Sequence, residues 1–65
     1  MKKYIILADS NFLSSNVSSF DPDSTCTQII SGFDENPSVW LIKTSLMASQ
    51  VVLIRGVNRL GMLHD

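Results

Sequence analysis

Large apolar residues are concentrated in three parts of this chain, separated by segments rich in Ser, Asp and Gly. The first part is the run Tyr-Ile-Ile-Leu-Ala at residues 4–8, which predicts an interior strand over residues 3–8 because its β-forming residues follow one another without a gap. The second part, Thr25–Ile30, combines β-branched residues with alternation and predicts another strand. The third part covers residues 36–57 and contains the one Trp. Any hydrophobic core must draw heavily on this last segment.

The third apolar segment is most simply a helix followed by a strand. Asn36-Pro37 is a favourable helix start, and Val39, Ile42 and Leu46 recur at helical spacing, so a helix is predicted over residues 37–49. Residues 39–44 also fit a strand, because Val-Trp-Leu-Ile is a β-like run, and this alternative stays open. The continuous apolar run at residues 51–54 predicts a third strand over residues 50–57.

The remaining segments are predicted to be connections between these strands and the helix. The Ser-rich residues 12–19 predict an irregular connection with room for one helical turn, and residues 20–24 predict a turn around Pro22. Phe33 is expected to fold back onto the core, and residues 58–61 are expected to form a turn or a fraying end. The prediction is one α+β domain over residues 1–65, in which a single-layer sheet of about three strands packs on one helix in the order β-β-α-β.

The net charge of −1 conceals a division between the two halves of the chain. Residues 4–35 contain five acidic residues and no Lys or Arg, whereas residues 36–64 contain Lys43, Arg55 and Arg59 and no acid. Such a division can mark a basic surface that faces a partner. It is more commonly explained by two halves that fold together and pair their charges loosely, at about 0–1 kcal/mol for each exposed pair.

The compartment is indicated by two features. Cys26 is the one Cys, so an internal disulfide is impossible and a reducing compartment is favoured. The apolar run after Lys2 and Lys3 is shorter than a signal peptide requires, which predicts a cytoplasmic protein.

Residues 38–54 have the shortest length at which a helix can span a membrane. Lys43 lies within them and costs about 2.5–3.5 kcal/mol at a helix centre, which disfavours membrane insertion.

No catalytic, metal or phosphate motif emerges from the chain. The segment that begins at Asp9 starts like a calcium loop, but its sixth position is Ser14 instead of Gly and its twelfth is Phe20 instead of Glu. His64 is the one His and lies next to the end of the sequence, which does not favour the fixed geometry of a general base. We therefore predict a protein that is not an enzyme and that has no cofactor and no metal site.

The sequence Ile-Leu-Ala-Asp-Ser-Asn-Phe-Leu at residues 6–13 resembles the opening strand of PIN-type ribonucleases. In that family the position of Asp9 is a metal-binding acid at the end of a strand. The resemblance covers eight of the 65 residues. A PIN domain is considerably longer and carries further acids on later elements, so this chain cannot complete that site and the activity is not carried over.

The function expected from these observations is a small non-enzymatic protein-interaction module, a cytoplasmic regulator or inhibitor that acts by surface contact. Chains of this size without catalytic groups are often encoded by phages or mobile elements. The predicted partner-binding residues are Trp40, Lys43, Arg55 and Arg59, and the partner is another protein or a second copy. Trp40 also fits a core position. The alternatives are nucleic-acid binding through the three basic residues and membrane association through residues 38–54.

Overall fold

A computed structural model describes residues 1–33 and 36–63 of the protein. Four strands and two short helices follow one another along the chain: β1 (Lys2–Ala8), α1 (Ser14–Ser18), β2 (Thr25–Ile30), β3 (Ser38–Thr44), α2 (Ala48–Val51) and β4 (Val57–Leu63). The strands form one sheet in the order β2-β3-β1-β4, and every neighbouring pair is antiparallel.

The connectivity consists of two interleaved β-α-β units. β1 and β2 both pair antiparallel with β3, so they run parallel to each other with β3 inserted between them. β3 and β4 likewise both pair antiparallel with β1, so they run parallel to each other with β1 inserted between them. With α1 and α2 as the two crossovers, this is the element order of the split β-α-β, or ferredoxin-like, arrangement. Each helix is reduced to about one turn.

The core lies on one side of the sheet. Successive strand residues point to opposite faces, and Tyr4, Ile6 and Ala8 of β1 are all fully buried on the same face. Val17 of α1 and Val51 of α2 join them in one buried cluster, so both helices cover that face. The Tyr4 hydroxyl donates a hydrogen bond to the carbonyl oxygen of Leu46 at 2.8 Å. This bond satisfies the polar end of a buried aromatic residue.

The predicted helix over residues 37–49 is wrong, because most of that segment is β3. The open alternative, a strand at residues 39–44, is the structure that forms. Trp40, Ile42 and Thr44 alternate toward the core, and β3 lies between β1 and β2. The helical spacing of Val39 and Ile42 was misleading, since these two residues point to opposite faces of the sheet.

The predicted strand over residues 50–57 is also wrong. Its first residues end α2, and a series of turns leads from there to β4. Val51, the last residue of α2, and Ile54, in the turns that follow, are both buried, while Leu53 between them is 84% exposed. The backbone amide of Met47 donates to the Gln50 side-chain oxygen at 2.8 Å, which stabilises the start of this turn of helix.

The three-stranded β-β-α-β architecture is therefore corrected to four strands and two helices. β4 forms where a turn or fraying end was predicted, because β1 offers it a strand edge to pair with. The predicted connection over residues 12–19 contains α1, and Phe33 is 73% exposed instead of folding onto the core. The predictions of β1 as an interior strand and of β2 are confirmed. The prediction for His64 lies outside the described residues.

Gly56 lies in the turn before β4, where it contacts the loop that follows β1. Its carbonyl oxygen accepts a hydrogen bond from the Asp9 amide at 2.9 Å. Its φ of 90° is one that other residues rarely adopt, and an added Cβ would lie 2.4 Å from the backbone nitrogen of Phe12. Glycine is therefore required where these two loops meet.

Residues 38–54 do not form one continuous helix. They are divided between β3, a short connection and α2. Within residues 1–33 and 36–63, no helix has the length and apolarity needed to cross a membrane.

Candidate interaction surfaces

One face of the sheet is turned away from both helices, and we call it the open face. Its members follow from strand alternation and from the cross-strand partners, which share a face. Three residues of each strand belong to it: Lys3, Ile5 and Leu7 of β1; Val39, Leu41 and Lys43 of β3; Thr25, Thr27 and Ile30 of β2; and Arg59, Gly61 and Leu63 of β4.

The centre of the open face is apolar. Ile5 lies opposite Leu41 and Leu7 lies opposite Val39 on the two inner strands. These four side chains are half-buried by their neighbours, and no helix of the described chain covers them. The free side of a one-layer antiparallel sheet is usually polar, so an apolar centre on this side is the exception. It is the feature most characteristic of a surface that binds another molecule.

The charges of the open face have one sign. Lys3 and Lys43 are direct cross-strand partners, and Arg59 lies opposite Leu7 at the other end of the apolar centre. Among the described residues of this face there is no acid.

The four sequence-predicted partner-binding residues do not form one site. Lys43 and Arg59 both lie on the open face, on either side of β1. Arg55 lies in the turn between α2 and β4, where its carbonyl oxygen accepts from the Asn16 side-chain amide at 3.3 Å. Trp40 faces the opposite, helix-covered side.

Sequence reasoning missed the apolar residues of the open face. Ile5 and Leu7 belong to the uninterrupted apolar run of β1, and that run predicts an interior strand without indicating that one of its faces stays uncovered. An interior strand of a sheet covered on both faces carries such a run, but so does a strand with one face left for a partner. The run alone does not distinguish the two.

A second candidate site is a cavity of about 460 Å³ on the side of the sheet that carries Trp40. We call it the Trp40 cavity. It is lined by Asp9, Ser10, Phe12, Gln28, Gly32, Asn36, Pro37, Ser38, Trp40 and Asn58. Its volume falls within the range of about 300–1,000 Å³ that is usual for small-molecule sites.

Trp40 is held in place from two sides. Its ring lies 5.1 Å from that of Phe12, at an interplanar angle of 61°, which is the edge-to-face geometry that aromatic pairs favour. Its Nε1 donates to Ser38 Oγ at 2.9 Å, and that hydroxyl donates to the Ala8 carbonyl oxygen at 3.1 Å. The indole is half-buried, so it packs on the core and also contributes a wall of the cavity.

Two further reactive groups have ordinary structural surroundings. Cys26 is half-buried on the helix-covered side of β2, and burial raises the pKa of its thiol, which disfavours the nucleophilic thiolate. Asp9, the position of the PIN-like acid, accepts a hydrogen bond from the Asn11 amide at 2.8 Å through Oδ1. This bond stabilises the turn after β1, and Oδ2 accepts no hydrogen bond from the described residues.

The fold places the chain in the class of small split β-α-β proteins, and the comparisons with known proteins add nothing to this class. No family model, no curated protein and no solved structure matches the chain.

Proposed function

We propose that the protein is a small non-enzymatic interaction module that binds another protein through the open face and acts in the cytoplasm as a regulator or inhibitor. The observation that carries the proposal is the apolar centre of Ile5, Leu7, Val39 and Leu41, which no described helix covers. Contiguous apolar patches on the surface of a small protein often mark the sites where it binds another molecule.

The charges of the open face favour one kind of protein partner. Lys43 and Arg59 place two basic side chains on this face beside the apolar centre, so the complementary surface has an apolar centre and an acidic rim. A second copy docked face to face would bring further basic side chains, and no acid from the described residues of its own open face, which is unfavourable. The face is four strands wide, roughly 19 Å, which suits a small and readily reversible interface.

The proposal is tested by recovering partners from the native host with the wild-type protein and with Leu41→Glu. The substitution places an acid in the apolar centre of the open face, and we expect at least a tenfold loss of the recovered partner with the fold retained. Leu53→Glu is the matched control, because Leu53 is highly exposed on the turn after α2. Equal recovery with both variants, in folded form by circular dichroism, would contradict the proposal.

Nucleic-acid binding is the second candidate, because Lys43 and Arg59 share one face of the sheet. Against it, no aromatic ring lies on the open face among the described residues, and sheets that read single strands use such rings for stacking. Binding that weakens steeply with salt and is reduced by Arg59→Ala but not by Arg55→Ala would favour this candidate over a protein partner.

A further inference from the structure

Both irregularities of the sheet lie beside the Trp40 cavity. Between β1 and β4, Leu7 pairs with Arg59 and Ala8 with Val57, so Asn58 is an extra residue without a partner. Between β2 and β3 the register shifts directly after Gln28. Bulges of this kind redirect side chains and are frequent next to binding sites. Here Asn58 itself and Gln28, the residue before the second bulge, both line the cavity.

The lining has a distinct chemistry. It contains one carboxylate, Asp9, three carboxamides and no Lys, Arg or His among the described residues. The indole of Trp40 supplies an aromatic surface, and its own N–H is already bonded to Ser38. A cavity with this lining repels phosphates and carboxylates and accepts hydrogen bonds from a positively charged group.

We propose that the Trp40 cavity is a binding site for a guanidinium group. A guanidinium is planar, carries five N–H donors and stacks on aromatic rings, which matches a cavity lined by one indole and by several side chains with oxygen acceptors. Asp9 Oδ2 is the charged acceptor, and the carboxamide oxygens of Gln28 and Asn58 are neutral ones at the two bulges. This site lies on the other side of the sheet from the open face, so it does not depend on the function proposed above.

The test uses Trp40 as the reporter, since it is the one Trp of the chain. Its fluorescence is titrated with ethylguanidinium chloride, against sodium chloride at equal ionic strength, and the side-chain amide resonances of Gln28 and Asn58 are followed by NMR. We expect a saturable change with a Kd of about 1–10 mM, the range open to so small a ligand. The two side-chain amides shift at the same concentrations.

Asp9→Asn removes the charge and keeps an oxygen for the Asn11 amide, and we expect it to weaken binding about tenfold or more. Asp23→Asn makes the same change of charge at an exposed position outside the cavity and leaves binding unchanged. If Asp9→Asn fails to fold, Asn58→Ala replaces it, because Asn58 is exposed and its removal leaves no buried group unpaired.

The source of the guanidinium is distinguished by a capped tripeptide with a central arginine. Tighter binding of the peptide than of ethylguanidinium assigns the site to an arginine side chain of a partner, and equal binding assigns it to a small guanidinium metabolite. The proposal is overturned if ethylguanidinium produces no saturable change, if Asp9→Asn binds it as well as the wild type does, or if acetate or adenosine binds more tightly.

Discussion

At the scale of single residues, Asp21 links the segment after α1 to the end of β3, which is distant in sequence. Its Oδ2 accepts hydrogen bonds from the Thr44 hydroxyl at 2.6 Å and from the Ser45 amide at 3.0 Å. It lies between α1 and β2 and is 8% exposed. The bond from Thr44, followed by that from the Ser45 amide, holds the pKa of the Asp21 carboxyl below its ordinary value.

A lowered pKa makes the contribution of Asp21 to stability dependent on pH. The carboxylate stabilises the fold above the ordinary pKa of aspartate, and this stabilisation is lost as the pH falls below about 4 and through the lower folded-state pKa. We expect Asp21→Asn to lower the Tm at pH 7, and the difference from wild type to shrink toward pH 2. Thermal unfolding by circular dichroism measures it, with Asp23→Asn as the exposed control. A difference independent of pH would contradict this account.

At the scale of elements, the run Val-Val-Leu-Ile at residues 51–54 illustrates how one composition suits two structures. A strand covered on both faces would bury all four residues. The end of α2 and the turns that follow it bury Val51 and Ile54 and leave Val52 and Leu53 exposed. The packing of β1 and the two helices, and not the β propensity of the run, determines this outcome.

Two substitutions distinguish a strand at residues 51–54 from the observed structure by how much each lowers the free energy of unfolding. Ile54→Val removes one buried methylene and is expected to lower the free energy of unfolding by about 0.5–1.5 kcal/mol. Leu53→Ala removes a larger group from an exposed position and is expected to change it by about 0.5 kcal/mol at most. Urea unfolding followed by circular dichroism gives both values. A larger loss for Leu53→Ala than for Ile54→Val would indicate that this segment is a strand.

At the scale of the whole molecule, the two edges of the sheet differ in their protection. β4 carries Arg59 and a bulge, and such features discourage pairing with another strand. β2 has the sequence Thr-Cys-Thr-Gln-Ile-Ile, without charge or proline, and Ile29 and Ile30 are both more than half exposed. An uncharged edge of this composition favours the addition of a strand from a second copy.

We therefore expect the wild-type protein to self-associate weakly through β2, and Thr27→Lys to prevent it. An antiparallel pair of β2 strands related by a two-fold axis places the new Lys near its own copy, where like charges repel. Sedimentation velocity over a wide concentration range measures the association. Asn58→Lys on β4 adds the same charge to the other edge and leaves association unchanged. Wild-type protein that stays monomeric throughout would contradict the expectation.

The sequence by itself determined β1 and β2, and the physical reason is local. Residues 4–8 and Thr25–Ile30 are rich in β-branched and aromatic residues, are followed by turn-forming residues, and have no competing helical periodicity. The absence of an internal disulfide also follows from Cys26 alone. These properties do not depend on what the rest of the chain packs against.

Only the tertiary structure decided the second half of the chain. Residues 39–44 satisfy both a helical and a strand period, and pairing with β1 on one side and β2 on the other selects the strand. β4 has a weak pattern of its own, and the free edge of β1 supplies the hydrogen bonds that form it. Both candidate sites depend on this pairing. Lys43 and Arg59 share a face because β3 and β4 flank β1, and Gln28 and Asn58 share a cavity because two bulges occur at one end of the sheet.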